Sequence, residues 1–323
     1  MTDFVEWCGV SDKILVTGAS GFVGSALCDR LEVLGVPYAG AMRKRSALPS
    51  RVQAGEMTAQ TDWSAALQGC NVVVHLAARV HVMDDKSSDP LAAFRAVNVD
   101  ATLNLARQAV RSGIQRFVYV SSIKVNGEQT HAKPFTSVDA PAPLDPYGIS
   151  KLEAEQALLE LAQETGLQLV IVRPPLVYGP GVRANFLRLM QLLKRGMPLP
   201  LGAVHNRRSM VALDNLVDLL IVCCRHPHAA GQVFLVSDDC DVSMTDLLRM
   251  LSGAMGKSAL LFALPVGLLS ASASLLGKSA AASRLLGSLQ VDIEHTKSTL
   301  GWVPPVRVED AIQQTVDHFL SNS

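Results

Sequence analysis

A short apolar run, Lys13-Ile14-Leu15-Val16, ends in a turn with glycines at three-residue spacing, Gly18, Gly21 and Gly24. An apolar periodicity through Ala26, Leu27, Leu31 and Leu34 follows it. A strand, a glycine turn and a helix in that order belong to the first βαβ unit of a parallel sheet, and few folds accommodate them otherwise. Gly18 allows the tight turn, Gly21 lets the backbone approach a pyrophosphate, and Gly24 permits close helix packing. The helix N-terminus adds free N–H groups and positive potential. The fold predicted is therefore α/β, a Rossmann-type doubly wound parallel sheet, with Ser20, Phe22 and Val23 completing the dinucleotide-binding turn.

Later segments extend the same sheet. Asn71 to Val74, Arg116 to Val120 and Leu169 to Val172 read as buried parallel strands, and the apolar pattern from Pro90 to Ser112 predicts one helix. At 323 residues the chain is long for a single core. Two domains are expected: a nucleotide-binding one over 11–175, with later segments returning to it, and a smaller substrate-binding one mainly over 176–323.

Composition narrows the function. Lys and Arg total 29, as do Asp and Glu, and the longest basic cluster is Arg43-Lys44-Arg45, so no nucleic-acid partner is expected. The six cysteines form no Cys-x-x-Cys pair and no metal spacing. No metal site is predicted, and the thiols read as small buried apolar groups in a reducing cytoplasm. The N-terminal residues lack the basic and apolar regions of a secretory signal. The uncharged stretch Ala259 to Leu276 is interrupted by Pro265, Gly267 and serines and barely reaches bilayer length. It reads as buried or peripheral helices rather than a membrane span, with attachment to a membrane surface as the minor alternative.

The chemistry is carried by a few positions. The second strand, about Val36 to Ala41, ends in Met42-Arg43-Lys44-Arg45 where an acidic residue would bind the ribose of NAD. Arg43 or Arg45 can pair with a 2′-phosphate, which makes NADP(H) the preferred cofactor and NAD(H) a possible one. Glu56 to Thr58 should border the adenine. Leu76, Ala77 and Ala78 follow a buried strand and let its backbone approach the cofactor, while His75 reads as a core residue. Tyr147 and Lys151, four residues apart on a predicted helix, share one face, so the ammonium favours the phenolate and makes Tyr147 a usable acid or base. Ser122, at the end of the Arg116 to Val120 strand, can hydrogen-bond the same substrate oxygen. Arg207 and Arg208 suit a diphosphate.

With these residues, the chain resembles the extended short-chain dehydrogenase/reductases that act on nucleotide sugars, a likeness that also takes in Arg208 to Asn215 and Leu300-Gly301-Trp302-Val303-Pro304. Within them it is similar to bacterial 4-reductases that produce UDP-N-acetyl-quinovosamine for O-antigen, through Arg79 to Met83, Ser121 to Glu128 and Asn206 to Ser209. The resemblance implies a UDP-sugar substrate, a homodimer, and reduction of a 4-keto-6-deoxy-N-acetyl sugar with Tyr147 as proton donor. It implies Lys151 as ribose ligand, Ser122, Lys124, Asn185 and Arg208 on the substrate, and Pro174 beside the cofactor. Ile123 and Lys124 stand where 4,6-dehydratases carry an Asp-Glu pair, which disfavours a dehydratase. The alternative is a UDP-glucose or UDP-N-acetylglucosamine 4-epimerase with bound NAD, although Val125-Asn126-Gly127 replaces the usual Val-Tyr-Gly. A regulatory protein that senses nucleotides without turnover would be expected to lose Tyr147 or Lys151.

Overall fold

The computed structural model describes residues 12–43, 50–80, 89–275, 277 and 279–322. Its contacts gather into two units, one holding the chain up to Tyr119 with Glu153–Val170, the other Val120–Leu152 with Ile171 onward.

In the first unit β1 (Lys13–Thr17) leads through the glycine turn into α1 (Phe22–Val33). β2 (Tyr38–Met42), β3 (Arg51–Gln53), the single turn α2 (Ser64–Leu67) and β4 (Cys70–His75) follow. β1 pairs in parallel with β2 on one side and β4 on the other, with Thr17 opposite both Ala41 and His75. Val, Ile and Leu fill β1 and β4 because both faces of a parallel sheet are covered; Leu15, Val16, Val73 and Val74 are fully buried.

α3 (Pro90–Arg95) starts at Asp89, whose carboxylate accepts from the Ala92 N–H at 3.0 Å. The continuous helix predicted over this region is interrupted by a wide π turn at Ala96–Ala101 before α4 (Thr102–Arg111). The turn holds buried Asn98, which accepts from the Arg79 N–H at 2.8 Å and donates to the Arg79 carbonyl at 3.1 Å. Two hydrogen bonds to a loop backbone thus accompany the irregular turn. β5 (Arg116–Val120) pairs in parallel with β4.

α5 (Pro146–Thr165) and β6 (Gln168–Arg173) each run from one unit into the other. The second unit continues with β7 (Leu176–Tyr178), α6 (Ala184–Lys194), β8 (Arg208–Ala212), α7 (Leu213–Arg225) and β9 (Val233–Leu235). β10 (Asp241–Val242) and α8 (Met244–Ala254) come next, then α9 (Val266–Leu275) and α10 (Ser279–Leu286). α11 (Glu294–Leu300) and α12 (Val308–Ser321) complete it. The main sheet is parallel with strand order β3-β2-β1-β4-β5-β6-β9, and β10-β8-β7 form a small second sheet. The order reverses between β1 and β4, the switch point at which sheets of this kind bind nucleotides.

The Leu-Gly-Trp-x-Pro run has a structural use. Gly301 ends α11 at φ 60°, and buried Trp302 donates its indole N–H to Asp218 at 2.8 Å. Asn215 exchanges two 2.8 Å bonds with the Val306 backbone. Cys28, Cys70, Cys223 and Cys224 are buried as expected, but Cys240 is exposed, because it follows β9 in a turn rather than lying in a core element; Cys8 lies outside the described residues. No helix among the described residues is long and apolar enough to cross a membrane.

Candidate active site

Ser122, Tyr147 and Lys151 come together in the second unit. The chain leaving β5 is held on both sides of Ser122: the Ser121 N–H donates to the Val172 carbonyl at 2.8 Å, and the Ile123 N–H to the Pro174 carbonyl at 3.0 Å. Ser122 caps a short 3-10 turn over Ile123–Val125, its hydroxyl accepting from the Lys124 N–H at 3.3 Å. Tyr147 follows Pro146 in the first turn of α5, where proline's fixed φ and missing N–H cost nothing. Asp145 caps that turn by accepting from the Gly148 N–H at 2.7 Å.

The Tyr147 hydroxyl is hydrogen-bonded to Ser122. One helical turn on, Lys151 is 2% exposed and donates to the Val120 carbonyl at 2.9 Å. Its ammonium lies 6.0 Å from the centre of the Tyr147 ring. The Tyr–Lys spacing predicts a lowered phenol pKa; the surroundings do the reverse. Desolvation pushes Tyr147 up to about 12, the Ser122 hydrogen bond lowers it in part, and the Asp145 carboxylate adds to the rise. At neutral pH the phenol therefore keeps its proton, ready to be given to an oxygen that gains negative charge.

A polar wall adjoins the triad. Lys124 pairs with Asp145 and, at 2.9 Å, with Glu128. Burial alone would raise the Asp145 carboxyl, but Lys124 and the Gly148 N–H outweigh it and hold the group below its ordinary range. Glu128 also lies 3.8 Å from the guanidinium of Arg284. Arg208 donates to the Arg284 carbonyl at 2.7 Å and to the Gly287 carbonyl at 3.1 Å. Burial lowers its pKa, and Glu128 acts in the opposite direction. Asn206 fixes the same turn from the side, donating to the carbonyls of Leu285 and Gly287. Asn185 is exposed in the first turn of α6, after Ala184 at φ 56°, and shares no hydrogen bond with the triad or Arg208 among the described residues.

In the first unit the glycine turn has the shape a dinucleotide needs. A Cβ on Gly24 would lie 2.1 Å from the Gly18 carbonyl oxygen, and one on Gly18 would lie 2.9 Å from the Ala77 nitrogen. Gly18 also has φ 68°. No side chain caps α1 at Gly21, so the helix start presents bare N–H groups beside exposed Ser20 and half-buried Phe22 and Val23. Thr17 accepts from the N–H groups of Leu76 and Ala77 at 3.1 and 3.2 Å and is bonded to buried His75 at 2.7 Å, and Ala78 follows, half-buried. These residues fit an NAD-type cofactor. Arg43 is exposed just past β2; Lys44 and Arg45 lie outside the described residues.

Sequence reasoning passed over Asp145, Glu128, Arg284 and Arg51. Arg51, on β3, donates to the Ala19 carbonyl at 3.1 Å and reaches Cys28 at 3.0 Å, placing a cation against the glycine turn. The one signal for it was Gly40 on the neighbouring strand, where a Cβ would meet the Arg51 guanidinium at 2.7 Å.

A doubly wound parallel sheet with a glycine cradle at its first turn, in a chain that carries a Ser-Tyr-Lys set, defines a Rossmann-type protein of the short-chain dehydrogenase/reductase class. The chain belongs to the NAD dependent epimerase/dehydratase family, whose profile matches residues 14–237. It is 47% identical over 315 residues to a UDP-glucose 4-epimerase of Vibrio cholerae, covering 95% of each chain. It is 27% identical to the N-acetyl-alpha-D-glucosaminyl-diphospho-ditrans,octacis-undecaprenol 4-epimerase of Escherichia coli O157:H7, covering 96% of each. The fold superposes on the crystal structure of UDP-glucuronic acid 4-epimerase from Bacillus cereus in complex with NAD, with a TM-score of 0.79 at 23% identity, over 96% of this chain and 99% of that one. The preference for NADP(H) read from Arg43 finds no support in a family that takes its name from NAD.

Proposed function

We propose that the protein is a UDP-sugar 4-epimerase that uses NAD. The similarity to the Vibrio cholerae UDP-glucose 4-epimerase over nearly the whole of both chains carries this reading. It supports the epimerase over the 4-ketoreductase that the sequence motifs first suggest. Held by the Gly18–Gly24 turn and the Leu76–Ala78 backbone, NAD would supply reversible hydride exchange with C4 of the sugar. Tyr147, as the phenolate, takes the 4-hydroxyl proton when C4 is oxidised and gives it back when C4 is reduced from the opposite face, so no net oxidation results. Ser122 donates a hydrogen bond to the same oxygen and stabilises the charge that grows there. The buried Lys151 ammonium favours the phenolate in which Tyr147 can take that proton, against a burial that disfavours ionisation. Arg208 takes the diphosphate, Asn185 the diphosphate or the sugar, and Lys124 orients the sugar.

One observation favours the 4-ketoreductase as a second reading: Tyr147 holds its proton firmly, as reduction of a 4-keto sugar demands. Nicotinamide absorbance separates the two. An epimerase converts UDP-glucose or UDP-N-acetylglucosamine to the 4-epimer with no net change in absorbance. A ketoreductase given a UDP-linked 4-keto-6-deoxy-N-acetyl sugar consumes one NADH or NADPH per product formed.

A further inference from the structure

We propose that the 259–275 segment, α9 included, docks on the surface of an anionic membrane. A helix that is apolar around its whole circumference is normally buried. α9 is built from Val, Leu, Ala, Gly and Ser alone, yet none of its residues is buried. Leu268 is 61% and Leu275 88% exposed, and the strand-like run before it leaves Leu260 and Phe262 about half exposed. An exposed apolar surface of this extent marks an interaction site.

The segment is held in place at both ends. Leu199 exchanges backbone hydrogen bonds with Leu260 and Phe262 at 2.9 and 3.1 Å, and the Gly202 N–H donates to the Phe262 carbonyl at 3.1 Å. On the far side α9 packs on α10, whose Arg284 and Ser283 carbonyls accept from Arg208 and Gln129 at 2.7 and 3.3 Å. The apolar residues are therefore presented by fixed backbone.

Charge identifies what covers them. Lys257 and Lys278 flank the segment in the sequence with no Asp or Glu between them, in a chain whose formal net charge is zero. Arg249 and Arg284 are already paired with Asp246 and Glu128, the second pair in the wall beside the triad, and add no free charge here. Exposed Lys257 donates to the carbonyl of Lys194, which brings the basic end of α6 beside it. An apolar segment flanked by lysines in the sequence complements acidic headgroups above acyl chains. A second copy of the same face would set these cations against one another. Ten residues of helix span about 15 Å, half a bilayer core, so α9 would lie in the interface and not cross it.

The test is co-sedimentation of the full chain with phosphatidylcholine vesicles, with and without phosphatidylglycerol. Binding should be at least about tenfold stronger to the anionic vesicles and fall as salt is raised. The double substitution Leu268→Glu and Leu275→Glu should weaken it at least about tenfold while leaving the melting temperature and far-ultraviolet circular dichroism unchanged, because both side chains already face solvent. Absence of binding to the anionic vesicles would overturn the proposal, as would equal binding by the double variant. So would a wild-type dimer that the substitutions convert to monomer without any vesicle binding, since the covering surface would then be a second copy.

Discussion

Desolvation decides the protonation of Tyr147, and the helical spacing to Lys151 does not override it. Replacing Tyr147 by Phe should lower turnover by about 10²- to 10⁴-fold, the usual range for a positioned proton donor, with cofactor affinity nearly unchanged. Undiminished turnover would remove the residue from the mechanism. The same variant locates the phenol in an alkaline titration followed by tyrosinate absorbance. The wild-type minus variant signal should have its midpoint near 12 rather than at the ordinary value of 10. The sign for stability follows: between those values the unfolded chain loses the proton and the folded one keeps it. Tyr147 therefore leaves stability untouched below pH 10 and lowers it as pH rises towards 12. Ser122, Tyr147 and Lys151 were legible in the sequence because helical spacing and the end of an apolar strand suffice to place them. Asp145 and Glu128 were not, because their use depends on how the loop after β5 folds back to the start of α5, which no local pattern records.

The start of α5 concentrates a cap, an ion pair and the triad on a few residues. Asp145→Ala removes the acceptor for the Gly148 N–H and leaves Lys124 with Glu128 alone, at an expected cost of about 1–2 kcal/mol at neutral pH in a denaturant titration. Because the folded state holds the Asp145 carboxyl below its ordinary pKa, this contribution is present above the unfolded value. It disappears as pH falls through the folded one, so the gap between wild type and variant should close in acid. A constant gap would assign the loss to something other than the carboxylate. At the glycine turn, Gly24→Ala puts a methyl group 2.1 Å from the Gly18 oxygen. It should cost about 1–3 kcal/mol and weaken NAD binding measured by calorimetry. Elements written in a single period were readable: β1, β4, β5 and β6 by apolar runs, and the glycine turn by spacing. The π turn at Ala96–Ala101 was not, since an extra residue per turn accompanies two hydrogen bonds between Asn98 and the Arg79 backbone. The exposure of α9 was likewise hidden, because an apolar helix reads the same whether it is covered or bare.

At the scale of the molecule the sheet order and the glycine cradle set where a dinucleotide binds, and the same framework serves epimerases and reductases alike. What separates those activities is the fate of the hydride, which neither composition nor spacing encodes. That is why the sequence motifs pointed to a ketoreductase and full-length similarity supports an epimerase. The most direct measurement follows that hydride. UDP-glucose deuterated at C4 is incubated with the protein and NAD in ordinary water, and the 4-epimer is examined by nuclear magnetic resonance. The account predicts that the inverted product keeps its deuterium at C4 and that no reduced nicotinamide accumulates. Inverted product with hydrogen at C4 would show exchange with solvent and contradict transient hydride transfer from C4, and absence of any inverted product would contradict the epimerase itself.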